Sequence, residues 1–77
     1  MWGKRKDIPT GIPEHIVRRV GMLPTGDLVE WADQAIYTTG RYLTLHQRTR
    51  DLADLDEALT GAQVLLAITE EMRRRAG

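Results

Sequence analysis

Residues 41–61, RYLTLHQRTRDLADLDEALTG, decide how this chain folds. No proline or glycine interrupts them before Gly61, so nothing in the backbone chemistry forbids one helix running straight through. Helical phase argues against it. At 100° per residue, Leu28, Ala32, Ala35, Thr39, Tyr42, Leu43 and His46 form one stripe upstream, bordered by Val29 and Ile36 on one side and Trp31 on the other. Downstream, Leu55, Ala58, Leu59, Ala62, Leu65, Leu66 and Thr69 form another. A continuous helix would carry these stripes on nearly opposite faces, each with nothing in the chain to bury it. A polar turn near residues 48–51 brings both inward. The fold class is therefore all-α, with an antiparallel hairpin of two helices, residues 28–47 and 52–75, each about 30 Å long and joined by a short connection.

Local signals agree. Asp51 is placed to cap the third helix, and Asp54, Asp56 and Glu57 load its first turns with charge that suits the helix dipole. Glu70 with Arg74 and Glu71 with Arg75 are i,i+4 pairs in the favourable order. At the start of the second helix, Asp27 followed by Glu30 has the spacing of a cap and its first-turn carboxylate. Thr25 lacks that pattern, because Leu28 stands at its third position. Gly40 costs about 1 kcal/mol against alanine in a helix interior. The stripe resumes in phase beyond it, so the helix is read as continuous, with a break there and a short strand at residues 41–45 as the local alternative. Alanines at 32 and 35 facing alanines at 58 and 62 allow a close approach of the two helices.

Further upstream, residues 13–21, PEHIVRRVG, make a short helix. Pro13 suits the first helical position, and Gly21 can close the helix in a left-handed conformation. Ile16, Val17 and Val20 share one side, and Arg18 and Arg19 face away. Residues 1–12, with Lys4-Arg5-Lys6 and closely spaced Gly and Pro, read as a basic arm outside a single helical domain at residues 13–77. In the third helix, Val64, Ile68 and Met72 stand beside the main stripe. This row needs cover, either from the short first helix or from another chain, for which a hairpin homodimer with a four-helix core is the simplest form.

The totals narrow the function. Eleven Lys and Arg balance eleven Asp and Glu, without the basic excess of a dedicated nucleic-acid binder. Cysteine is absent, which removes disulfides, thiolate metal sites and a thiol nucleophile. Serine is absent as well. No apolar run reaches the ~18–20 residues of a membrane span, and the basic N-terminus is not followed by the apolar stretch of a secretory signal. These features predict a cytoplasmic protein without a membrane partner.

No catalytic, cofactor-binding or metal-binding residue emerges. His15 and His46 match no ligand spacing, and no glycine-rich phosphate loop or calcium loop occurs. His46 reads as a half-buried side chain that bonds a carbonyl or a carboxylate. The prediction is a non-enzymatic protein-interaction module without a cofactor, self-associating, with Trp31, Tyr37, Val64, Ile68 and Met72 as candidate interface residues. Tyr37 is singled out because an aromatic on a polar helix face suits an interface. The alternative is a nucleic-acid-binding regulator that contacts phosphates through Lys4, Arg5, Lys6, Arg18 and Arg19. A helix–turn–helix version of it would present Asp27, Glu30 and Asp33 to the phosphates, which repel them.

The run LPTGDLVEWADQAIYTTGRYL, followed by an Ala/Leu-rich helix ending in EEMRRR, resembles small all-α hypothetical proteins of actinobacteria and their phages. The resemblance covers about two thirds of the chain. It implies a short intracellular helical accessory protein and assigns a role to no residue.

Overall fold

A computed structural model describes residues 12–77. Three helices follow in order: α1 (Glu14–Gly21), α2 (Thr25–Thr49) and α3 (Leu52–Ala76). Among the described residues there is no strand, and α2 packs along α3 as an antiparallel hairpin. The basic arm predicted at residues 1–12 lies outside the described residues except for Ile12. That residue is half-buried against the core and belongs to the helical domain.

The prolines start the first two helices, and they do so differently from the expectation. Pro13 is the N-cap of α1, not its first helical residue, with an extended backbone (φ −55°, ψ 135°). Its carbonyl accepts from the amides of Ile16 and Val17 at 3.0 and 3.2 Å. Pro24 caps α2 in the same way (φ −64°, ψ 153°), accepting from Asp27 and Leu28 at 3.0 and 3.1 Å. Asp27 is therefore a first-turn residue and not the cap; no side chain caps α2. A proline supplies a fixed φ and a free carbonyl while donating no N–H, so the helix starts three residues earlier than the carboxylate spacing implied. Gly21 stays helical, and α1 ends right-handed at Met22 (φ −96°, ψ −4°), because Pro24 restarts a helix only three residues on. Gly40 leaves α2 unbroken.

The turn between α2 and α3 is a compact hydrogen-bonded unit. Arg50 takes the left-handed conformation (φ 58°, ψ 23°), and its amide donates to the His46 carbonyl at 2.8 Å. The Asp51 carboxylate caps α3 by accepting from the Ala53 amide at 3.0 Å, as its position predicts. Thr49 accepts from the Asp51 amide at 3.0 Å and donates to Asp54. His46 Nδ1 lies 2.8 Å from the Asp51 carbonyl. A carbonyl only accepts, so Nδ1 carries the proton. The histidine read as bonding a carbonyl does so, and its bond locks the turn.

Two zones hold the hairpin. At the end away from the turn, Val20 of α1, Leu28 of α2 and Ala67 and Ile68 of α3 form a buried cluster. Ile16, Leu23, Trp31, Val64 and Met72 pack around it. In the middle, Ala35, Ala58 and Gly61 are buried where the helices approach most closely. A Cβ on Gly61 would stand 3.3 Å from the Ala35 carbonyl oxygen and the Thr39 amide and would collide with the Thr39 hydroxyl. That hydroxyl donates to the Ala35 carbonyl at 2.7 Å.

A polar clamp closes the open end. Glu71 receives Arg75 Nε at 2.7 Å and also pairs with Arg74. Arg75 further donates to Thr25 Oγ1 at 3.1 Å and to the Gly21 carbonyl at 3.3 Å. One guanidinium thus ties the last turn of α3 to the start of α2 and the end of α1. The Glu71–Arg75 pair follows the i,i+4 expectation. Arg74 departs from it, turning to Glu71 in place of Glu70. Hydrogen bonds from Arg75 and then Arg74 hold the Glu71 carboxyl below the usual carboxylate range.

Candidate protein interface

An antiparallel helix pair has two flanks. Residues displaced in the same rotational sense from the contact line of each helix lie on the same flank. From the contact residues Leu28 and Gly61, Trp31 and Val64 are both displaced by about −60°. His15, Ile16 and Arg19 of α1 stand beside them there. Ile68 is wholly buried, and Val64 and Met72 are half-buried against the core. Of the two covers open to the row at 64, 68 and 72, the first helix provides it. This corrects Ile68 as a candidate interface residue, since no surface of it remains to be touched. Trp31 and Val64 keep part of their surface. Beyond α1 they line a hollow of about 280 Å³ with Thr38, Thr60 and Gly61.

Among the described residues no element covers the opposite flank. Val29, Ile36 and Leu43, each seven residues from the next, lie within about 40° of one another on α2. They are 48%, 55% and 49% exposed. On α3 the same flank holds Leu55, Ala62 and Leu66 within about 40°. Leu55 and Leu66 are half-buried and Ala62 is exposed. Leu59, at the edge, is 58% exposed. Leu43, Leu59, Ala62 and Thr69 were expected on the inner stripe and are exposed. The reason is the close approach at Ala35, Ala58 and Gly61. It centres the contact line on small residues, so a large side chain more than about 60° away falls outside it. The seven-residue spacing of Val29, Ile36 and Leu43 was the available signal for this face.

The remaining candidates separate. Tyr37 is 65% exposed on the back of α2, away from both flanks. Arg19 stacks over the Trp31 ring at 5.6 Å from its centroid. Arg18 stands 4.0 Å from Glu14, with both side chains in solvent. Lys4, Arg5 and Lys6 lie outside the described residues, so of the five residues proposed for nucleic acid only Arg18 and Arg19 are described. His15 is exposed. No helix among the described residues is long and apolar enough to cross a membrane. No protein family, curated protein or solved structure matches this chain.

Proposed function

We propose that this chain is a small intracellular protein-interaction module, without catalytic activity of its own, that works by presenting a helical face to another protein chain. The observation that carries the reading is the bare flank of Val29, Ile36 and Leu43 beside Ala62 and Leu66. Contiguous apolar surface of this kind marks interaction sites on small proteins. Helix-borne rows at heptad spacing meet a partner by packing helix against helix.

The nucleic-acid reading has less support. Of its two described arginines, Arg19 is engaged by Trp31 and Arg18 neighbours Glu14. The experiment that tests the interaction reading places a benzophenone amino acid at position 36 and irradiates cells of the native host. The expected result is a protein adduct at position 36 and none at the exposed Glu30 position on the back of α2. Nucleic-acid adducts alone, or no adduct at position 36, would overturn it.

A further inference from the structure

We propose that the hollow beside α1 is the seat of this chain's own N-terminal segment, residues 1–11, with Ile8 as the side chain that enters it. The inference concerns the flank that α1 covers in part. It does not rest on the interaction face described above.

The place where the described chain begins points there. Ile12 is half-buried against the same core cluster that Trp31 and Val64 pack on. In the first turn of α1, His15 and Ile16 stand beside Trp31 and Val64. In its last turn, Val20 and Gly21 stand beside Ala67 and Glu71. α1 thus runs in the same direction as α3. Followed backward from Ile12, the chain leads toward the earlier turns of α3, where Gly61, Thr60 and Glu57 line the hollow.

The length fits. Val64 and Glu57, at the two ends of the hollow, are seven residues apart on one helix, about 10 Å. Ile8 precedes Ile12 by four residues, which reach about 13 Å when extended. Each of these isoleucines precedes a proline, which favours extended backbone at both. The other large apolar residues of the segment, Met1 and Trp2, stand farther from Ile12.

The chemistry fits as well. Ala35 and Gly61, both buried, make the floor, and Trp31 and Val64 are half-buried beside it. An aliphatic side chain seated there takes the remaining apolar surface of Trp31 and Val64 out of water. Glu57 is the one charged residue in the lining, which contains no Lys or Arg. Asp56 stands one turn before Thr60 on the same face of α3. Lys4, Arg5 and Lys6 precede Ile8 by two to four residues. With Ile8 in the hollow they arrive at the end where these carboxylates stand, and opposite charges fix that direction. The segment is also tethered beside the site, so it binds there without the loss of translational freedom that a separate chain would bear.

The test is nuclear magnetic resonance of the full chain. Overhauser contacts should join the Ile8 methyls to the Val64 methyls and to Thr60 and Gly61. They should arise within one molecule, so a mixture of isotope-labelled and unlabelled protein should show none between copies. Ile8→Asp should shift the Gly61 and Thr38 amide resonances and leave those of Val29 and Leu43, on the opposite flank, in place. Lys4→Glu with Lys6→Glu, which keeps Ile8, should weaken the Overhauser contacts, as should added salt. Absence of the Ile8 contacts from the unmodified chain would overturn the proposal without recourse to any variant. An unmoved Gly61 resonance in Ile8→Asp would overturn it too. So would contacts found only between labelled and unlabelled molecules, since the hollow would then hold the segment of a second copy.

Discussion

The two flanks of the hairpin are built from similar side chains and meet different fates. On one, Val64, Ile68 and Met72 of α3 join Trp31 of α2 in the core under α1. On the other, Val29, Ile36 and Leu43 face solvent with Leu59 and Ala62. The rows themselves do not account for this. Both repeat at helical spacing, and both are apolar. What differs is α1, whose eight residues span only about 12 Å and reach one flank. Periodicity therefore reports which faces need cover and leaves open where the cover comes from.

The comparison breaks most directly at Ile68 and Ile36, the same residue type on the two flanks. Ile68→Ala removes a wholly buried side chain and should cost about 2–4 kcal/mol. The urea midpoint should fall by the same amount at every protein concentration. Ile36→Ala within one copy should cost less than about 0.5 kcal/mol. Any larger loss should shrink on dilution, as a contact between chains must. An Ile36→Ala loss equal to that of Ile68→Ala and independent of concentration would erase the distinction between the flanks.

A finer contrast lies between two glycines. Gly61 has Ala35 and Thr39 backbone atoms at 3.3 Å from where a Cβ would be, and Gly40 has nothing within 4 Å. Gly61→Ala gains about 1 kcal/mol of helix propensity but must push the helices apart, at a cost of about 1–3 kcal/mol. The net expectation is a loss of about 1 kcal/mol. Gly40→Ala should gain up to about 1 kcal/mol, with no collision to offset it. Opposite signs in urea denaturation would locate the helix crossing at Gly61. Equal signs would mean that the close approach at Ala35 is not what positions the hairpin.

These contrasts also show what was legible in the sequence. The hairpin was, because two stripes out of phase have one economical solution, and Asp51 marked the turn. The surplus row at 64, 68 and 72 was legible as a surface in need of cover. Leu43 and Leu59 were misplaced because the contact line depends on how closely two helices approach. That distance is set jointly by Ala35, Ala58, Gly61 and Thr39, and no single helix wheel contains it. The start of α2 at Thr25 was missed because the Pro24 carbonyl, not a side-chain cap, receives the first amides, and α1 starts one residue later than read because Pro13 is its cap. The Glu71–Arg75 pair was readable from its spacing. Its extension to Thr25 and Gly21, fifty and more positions away in sequence, was not.

That clamp carries the subtlest prediction, because it joins the last turn of α3 to the start of α2 and the end of α1 through polar contacts and not through packing. The Glu71 carboxyl is held below its ordinary value, first by the hydrogen bond from Arg75 and then by that from Arg74. In the unfolded chain it titrates near the ordinary glutamate value of about 4.3. A carboxyl with a depressed folded pKa binds fewer protons in the folded state than in the unfolded one across the interval between the two values. Its contribution to stability is therefore complete above the unfolded value and declines as pH falls through the interval toward the folded one. Glu71→Gln removes the titration while keeping a similar shape. The unmodified chain should be the more stable of the two at neutral pH, and the difference should narrow steadily once pH drops below about 4.3. Taking the difference cancels the carboxylates common to both chains. Urea midpoints for both proteins between neutral pH and acid would measure it, and a gap that stays constant through that range would show that the Glu71–Arg75 contact does not hold the open end of the hairpin.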